Sequence, residues 1–575
     1  MEVASKIWRA AAADGESASR LAAELDLPLP LAMVLIARGH ADAASAERFL
    51  NPRLSDLSDP LILPGMSTAV ERIWSAIDRK EPIVIFGDYD ADGISSTALM
   101  VRVLGSLGAK VVPFLPHRID DGYGLAAETL QRCIENHHPK LVVTVDCGTN
   151  SVEAVLMARS SGIDVIITDH HEPSGEVAPA LAVVNPKCGQ NDDLKVLSGV
   201  GVAFKLCHAL VKAARGTGRP EAALDLRNHL DLVCIGTIAD IVPLTGENRI
   251  FCRHGLALLR RTNLVGLRAL IEVSGIKGEL DAYHVGFLLG PRLNAVGRLG
   301  DAQASLELLL TEDADRAREL AQQLDRTNRE RQDVEAQIVK EAMAEIDSFF
   351  KPEEHFGLVI AREGWHPGVI GIVASRLSAR YRRPTVVIAI DETGECRGSC
   401  RSVEGFNLVE NLALCSTLLI RFGGHAMAAG LGVERRLIEA FRKRFNEVAA
   451  EALRAADLRP VQNIDAWVDL READERLMTG LDRMRPFGFG NPTPVWAARG
   501  VRVVGQPRVV GGKHLKMALA SGGTQREAIA FGAGDRQLPA GSIDVAFQLQ
   551  RNSYQGRDTL QLNVQDFRLS GEGEN

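Results

Sequence analysis

Between residues 80 and 185 the chain alternates short aliphatic runs with longer stretches of helical periodicity. IVIF (83–86), KVVPF (110–114), LVVTV (141–145), DVIIT (164–168) and LAVVN (181–185) read as strands. Helices are predicted between them, over 95–107, 125–136 and 151–161. Continuous Val/Ile runs spaced by helices predict a parallel sheet covered on both faces. More helix is predicted over 199–214, 222–235 and 248–261, so this unit occupies residues 61–275 behind a helical segment at 1–60.

The periodicity then changes. Residues 276–350 read as connector helices, because 301–347 is rich in helix formers and lacks Gly and Pro. A smaller α/β unit is predicted over 351–457, with strands at FGLVIA (356–361) and TVVIAI (385–390). From 458 to 575, beyond a helix at 471–484, apolar and polar residues alternate in short runs between glycines. That pattern predicts a small antiparallel barrel or sandwich of OB type.

Length and composition change little. A chain of 575 residues implies three or four domains, and 46% hydrophobic with 24% charged residues is ordinary for globular proteins. The N-terminus lacks a signal-peptide pattern, and the longest apolar stretch (27–37) is too short and proline-broken to span a membrane. Nine scattered cysteines without a C-x-x-C pair argue against zinc and a disulfide framework. A cytoplasmic protein is expected. The net charge of −8 is formally wrong for a nucleic-acid binder, which would need basic patches or metal ions.

The chemistry lies at the strand ends. GDYDADG puts Asp88, Asp90 and Asp92 just after PIVIF; LVVTV runs into Asp146, DVIIT into Asp169-His170-His171, and GTIADIVPL carries Asp240. Ligands of open α/β sheets bind at that edge, so these clusters can meet in one crevice. Carboxylates so close would protonate one another unless cations held them. Asp with His ligands suits a borderline divalent ion and leans to manganese over magnesium. A shared carboxylate could bridge two ions about 3.5–4 Å apart, as in phosphoryl chemistry. Taken singly, each motif is equally a polar turn or a helix cap.

The order GDYDADG, VDCG, TDHH, ADIVPL resembles the DHH phosphoesterase superfamily. GYGL (122–125), PRLNAVGRLG (291–300), GWHPGVIGIVASRL (364–377), RGSCRS (397–402) and RFGGHAMAAG (421–430) are similar to its bacterial single-strand-specific exonucleases. The resemblance runs from residue 38 to at least 430. It implies a DHH catalytic domain, a connector, a DHH-associated domain and an OB-like tail. It also implies Asp90, Asp92, Asp146, His170 and Asp240 as ligands of two divalent cations, with Asp146 as the bridge. Asp88 joins that set or lies behind it. His171 would face the scissile phosphate or orient a ligand.

For substrate, the helix opened near Gly371 offers free N–H groups to an anion. RGSCRS is read as a short turn presenting Arg397, Ser399, Arg401 and Ser402 to phosphate. Gly423 and Gly424 let backbone amides approach, with His425 as donor. By the resemblance Arg118, Arg298 and Arg401 grip a 5′ end, Tyr123 is a stacking platform, and Arg292, Asn294 and His366 complete the set. Basic residues at 376–383, 435–444 and 502–516, with Phe531, Phe547 and Tyr554, are candidates for single-strand contacts. The tail reads as separable from the metal site.

The activity so implied is 5′-to-3′ hydrolysis of single-stranded DNA to 5′-mononucleotides, in recombination and repair. Manganese is preferred and magnesium possible. A monomer is expected, with a single-strand-binding protein and a helicase as partners and no membrane association. The alternatives are a superfamily phosphodiesterase acting on short oligonucleotides or cyclic dinucleotides, and a metal-free binding scaffold.

Overall fold

The computed structural model describes residues 6–12, 14–117, 124–299, 302–454, 458–554 and 557–571. Its first sheet contains the five expected strands, at Pro82–Phe86, Lys110–Phe114, Leu141–Val145, Asp164–Thr168 and Ala182–Val184. All pair in parallel, the second strand outside the first and the third, fourth and fifth following on the other side. The direction of winding therefore reverses between Pro82–Phe86 and Leu141–Val145, and a crevice opens at such a point. Val84, Ile85, Val142, Val143, Ile166 and Ile167 are buried between helical layers, which explains the unbroken aliphatic runs.

Two helix boundaries depart from expectation. The helix predicted from 95 begins at Ala91, inside the acidic motif, because Asp90 caps it. The helix predicted over 222–235 begins at Leu230. Before it, Pro220 and the Asp225 cap turn the chain into 3-10 turns at Pro220–Ala223 and Leu226–His229.

The connector also departs from its sequence reading. Leu280, Leu293, Leu306 and Leu320 lie in the core of the first unit. The helix Ala314–Phe349, 36 residues and about 54 Å long, then carries Ile338, Ala342 and Ile346 into the second unit's core. That unit is a mixed sheet ordered Arg421–Gly424, Ala428–Glu434, Glu395–Arg401, Thr385–Ile390, Leu358–Glu363. RGSC is thus a strand and not a turn. Cys396, Gly398 and Cys400 face the core while Arg397, Ser399 and Arg401 face out.

In the tail, Trp496–Val510 pairs both with His514–Ser521 and with Ile543–Tyr554, closing a five-stranded OB-like barrel. The N-terminal segment packs on it. It opens with a strand, Ile7–Ala10, parallel to Val461–Ile464, and Leu21, Leu31 and Leu35 share one core with Leu477, Trp496 and Phe547. No helix among the described residues is long and apolar enough to cross a membrane, and all nine cysteines are free.

Candidate active site

Glycines set the acidic loop. A Cβ on Gly87 would stand 1.9 Å from Thr97 Oγ1, and one on Gly93 would stand 2.6 Å from the Asp88 carbonyl oxygen. The helix Ala91–Ser106 can therefore start directly against the strand end. Asp90 Oδ1 caps it, accepting from the N–H groups of Asp92 (2.9 Å) and Gly93 (3.0 Å). Asn294 Oδ1 accepts the Ala91 N–H at 2.7 Å. Asp92, fully buried, turns back to accept the N–H groups of Gly199 (2.7 Å) and Val200 (2.9 Å) at the start of the helix Gly199–Thr217.

Asp146 continues the sheet by donating its N–H to the Thr168 carbonyl (2.9 Å) and takes a positive φ of 64°. Ile241, directly after Asp240, has φ 61°. Non-glycine residues in this region carry strain, which concentrates at functional sites. A Cβ on Gly199 would lie 2.4 Å from Asp146 Oδ1, and one on Gly236 would lie 2.6 Å from Asp92 Oδ1. These two glycines make room for the carboxylates. Sequence reasoning passed over both, although each sits in an apolar helix where glycine is unfavourable.

Behind the histidines stands Asp169. Its carboxylate accepts from Thr149 N–H (2.9 Å), His170 N–H (2.7 Å), His171 N–H (3.1 Å) and the His171 ring Nδ1 (2.7 Å). Asn185, ending the fifth strand, donates to Thr149 Oγ1 and to the His171 carbonyl, each at 2.9 Å. Its position after LAVV, matching Asp146 after LVVTV, was the available signal.

The ligand-type atoms converge. One atom each from Asp88, Asp90 and Asp146 lie within 4.8 Å of one another, as do sets from Asp92, His170, Asp240 and from Asp146, His170, His171. Burial, then repulsion from Asp92, Asp90, Asp240 and Asp88, holds the Asp146 carboxyl well above its usual range. Burial, then the negative Asp92 and Asp90, raises Asp240 likewise. Burial and Asp90 push Asp92 up to about 7, against the pull of its two backbone donors. Burial drives His170 down to about 3, so it is neutral. Burial alone would raise Asp169 and lower His171; their hydrogen bond and opposite charges reverse both, leaving a depressed Asp169 and a raised His171.

The chemistry of this donor set fits metal. Asp146 Oδ1 and His170 Nε2 are 3.2 Å apart, both buried and without a hydrogen-bond partner, and a neutral imidazole forms no ion pair. Buried polar atoms are rarely left so. A cation would satisfy both and relieve the carboxylate repulsion.

The remaining expectations divide. Arg401 and Ser399 flank the helix Ile370–Tyr381 at its first turn, where a Cβ on Gly371 would lie 3.2 Å from Arg401 Nη2 and 3.0 Å from Ser399 Oγ. Arg298 Nη1 donates to the Gly368 carbonyl (3.2 Å), tying the acidic unit to this loop. His366 Nδ1 accepts the Gly368 N–H at 3.1 Å. Gly423, Gly424 and His425 lie on an exposed hairpin tip, with Gly424 at φ 141°. Other side chains are engaged by their own surroundings. Arg292 pairs with Asp325 (2.8 Å) and donates to the Leu288 carbonyl, and Ser402 donates to the Phe406 carbonyl. Arg397 pairs with Glu395, Arg376 with Glu335, and Arg383 is buried against the carbonyls of His355 and Pro352. Phe547 is barrel core and not a stacking surface. Arg118, Tyr123 and the Tyr554 side chain lie outside the described residues.

Comparison with known proteins agrees with this architecture. The family model for the DHH family N-terminal domain matches residues 82–237, the DHHA1 domain 355–451 and the RecJ OB domain 464–566. The single-stranded-DNA-specific exonuclease RecJ of Bacillus subtilis is 39% identical over 99% of this chain and 72% of its own length. That of Escherichia coli is 36% identical over 94% of this chain and 96% of its own length. The crystal structure of Thermus thermophilus RecJ in complex with Mn2+ superposes with a TM-score of 0.83 at 32% identity, covering 98% of this chain and 79% of that one. Its Mg2+ complex gives 0.77 at 31% identity, covering 98% and 78%. From the acidic crevice to the closed tail barrel, this chain belongs to the RecJ family of single-stranded-DNA-specific exonucleases.

Proposed function

We propose that this protein degrades single-stranded DNA from the 5′ end to 5′-mononucleotides, at a two-cation centre built on Asp146. The observation that carries this reading is the unpartnered pair Asp146 Oδ1 and His170 Nε2 within interlocking acidic groups. Asp88, Asp90 and Asp146 would hold one cation, and Asp92, His170 and Asp240 the other, with Asp146 shared. Bound there, two cations supply Lewis-acid stabilisation of the attacking and leaving oxygens of a phosphodiester.

The chain supplies the rest. Asp169 fixes the His171 ring through Nδ1, which sets the ring's orientation, and the raised proton affinity of His171 suits it to face a phosphate oxygen. The first turn of the helix Ile370–Tyr381, with Arg401 and Ser399 beside it, forms an anion seat for a terminal phosphate. Arg298 joins that seat to the carboxylate crevice. Gly423, Gly424, His425 and His366 line its approach.

The same reading places the protein in DNA recombination and repair in the cytoplasm. It would work there as a monomer beside a single-strand-binding protein and a helicase. The discriminating experiment is hydrolysis of 5′-labelled and 3′-labelled single strands with manganese, magnesium, calcium or EDTA. Labelled mononucleotide released first from the 5′ label, fastest in manganese and absent in calcium, is expected. First release from the 3′ label, or equal rates in all metals, would overturn the reading.

A further inference from the structure

Aromatic residues make up only 5% of this chain, and among the described residues four aromatic side chains are strongly exposed: Tyr283, Phe287, Phe489 and Phe531. Three of the four sit on backbone that packs against the segment Ile238–Leu244. Tyr283 and Phe287 stack on each other, ring centroids 4.8 Å apart and 25° between planes. Their backbone is a helical turn, Ala282–His284, running into a π-helical turn, Val285–Leu289. π-turns recur at functional sites. This one lies against the last turn before Asp240: a Cβ on Gly286 would be 3.6 Å from Ile238 Cγ2, and one on Gly290 would be 3.2 Å from Ala239 Cβ.

Phe489 reaches the same segment from the tail. Its carbonyl accepts the Leu244 N–H at 2.8 Å, and a Cβ on Gly490 would meet Pro243 Cβ at 2.8 Å. Within that segment Ile241 is 68% exposed, on a residue whose φ is already strained. Apolar side chains gain by burial, so leaving these exposed on segments that pack against the one carrying Asp240 calls for an occupant. Cations accompany them. Arg485 lies 3.8 Å from Asp281, the cap of the Tyr283 turn, and Arg253 is exposed next to it, donating to the Arg485 carbonyl. Exposed aromatic faces with a guanidinium nearby match unpaired nucleotides, whose bases stack on the rings; Arg485 is already held by Asp281 and Asp482, which leaves the exposed Arg253 to meet a phosphate.

We propose that Tyr283, Phe287 and Phe489 form a base-stacking surface for unpaired nucleotides of the substrate strand, on the Asp240 side of the crevice. The inference rests on the reading that the chain degrades single-stranded DNA. Because every base has a π-face, the surface accepts any sequence and excludes paired bases, whose faces are covered.

The test compares full-length wild type, Tyr283→Ala/Phe287→Ala and Phe489→Ala, with thermal unfolding checked for each. Affinity for oligothymidylates of 3–15 nucleotides is measured by anisotropy in calcium. The variants should bind long strands about tenfold more weakly, with a loss that grows with strand length. The aromatic exchanges Tyr283→Phe and Phe287→Tyr should restore binding. A single abasic nucleotide moved along the strand should weaken wild type at one or two positions and have no further effect there on the alanine variant. Equal affinities at all lengths, or abasic and alanine effects that simply add, would overturn the proposal and assign the patch to a protein partner. Wild type inactive on single strands would instead sink the functional reading, whatever the variants do.

Discussion

At the carboxyl edge of the parallel sheet the polar groups point at one another; among the basic and hydroxyl residues of the connector and the second unit they point at their own neighbourhood. Asp88, Asp90, Asp92, Asp146, His170 and Asp240 form interlocking sets, and burial with repulsion from neighbouring carboxylates raises the proton affinity of Asp92, Asp146 and Asp240. Arg292, Arg376, Arg383, Arg397 and Ser402 are instead bound to carboxylates and carbonyls already present. The first arrangement is unstable without a ligand. The second is complete without one. Unsatisfied chemistry therefore marks the place where a ligand belongs, and a cluster of basic residues by itself does not.

The sharpest way to break this comparison is Asp146→Ala. It removes the carboxylate proposed to be shared by both cations, so hydrolysis should fall by more than about 1,000-fold in saturating manganese. The fold should not suffer in EDTA, because a repelled buried carboxyl is lost. Retained activity with a lowered melting temperature would make Asp146 structural. The sign of the pH effect follows from the same repulsion. Asp92 carries a raised folded value of about 7, so its stabilising contribution is full below about pH 4 and lost as pH rises towards 7. The metal-free protein should therefore melt progressively lower over that window, and manganese should abolish the trend. A flat profile in EDTA would refute it.

Next comes the tail. A chain cut after residue 460 keeps every candidate ligand, and the sequence alone suggests that it still cuts short oligonucleotides. The structure predicts otherwise. The cut strips the partner surface from Leu21, Leu31 and Leu35 and removes the hydrogen bond from Leu244 N–H to Phe489 beside Asp240. It also leaves the buried Arg249 without the carbonyls of Arg483, Arg485 and Pro486. The truncated chain should aggregate or lose most activity on trinucleotides as well as on long strands. A soluble product with wild-type trinucleotide turnover would show that the two halves are independent.

How much could be read in advance follows from the same contrast. In the first sheet strand positions were legible to within a residue, since Val/Ile runs of five leave one arrangement for a buried parallel strand, whereas the strand expected at 356–361 lies two residues later, at Leu358–Glu363. The convergence of the acidic and histidine candidates was legible because all of them but Asp240, which caps the end of a helix, follow those strands. Partners chosen in three dimensions were not. Asp325 lies 33 residues from Arg292, and the N-terminal helices meet a barrel more than 400 residues away. RGSC was misread as a turn although its alternation, with Cys396 and Cys400 in and Arg397 and Arg401 out, has the period of a strand.

Two smaller substitutions sharpen the division among the substrate candidates. Arg401→Ala should slow degradation of 5′-phosphorylated strands about tenfold or more, and of 5′-hydroxyl strands less, because the guanidinium–phosphate contact exists only in the former. Arg292→Ala should leave that ratio unchanged and instead cost about 2 kcal/mol of stability, since it breaks a largely buried pair whose Asp325 keeps Arg329 as a second partner. A changed phosphate preference in Arg292→Ala would return it to the substrate seat.

The smallest expected effect belongs to the two serines of RGSCRS. Ser399 Oγ accepts from Arg401 Nη1 at 3.2 Å and faces the first turn of the helix at Gly371, so its own O–H can be given to a terminal phosphate. Ser402 donates its O–H to the Phe406 carbonyl and its N–H to that of Met427, which closes the loop behind the strand. A neutral hydrogen bond contributes about 0.5–1.5 kcal/mol. Ser399→Ala should therefore raise the KM for 5′-phosphorylated strands about three- to tenfold with little change in melting temperature. Ser402→Ala should do the reverse, lowering the melting temperature by a few degrees and leaving KM alone. The two serines are only three residues apart, Ser399 on the strand and Ser402 just past its end, so general damage to this segment would move both quantities in both variants. Matching profiles would mean that the two serines do not differ in role, and the anion seat would reduce to Arg401 and the helix terminus alone.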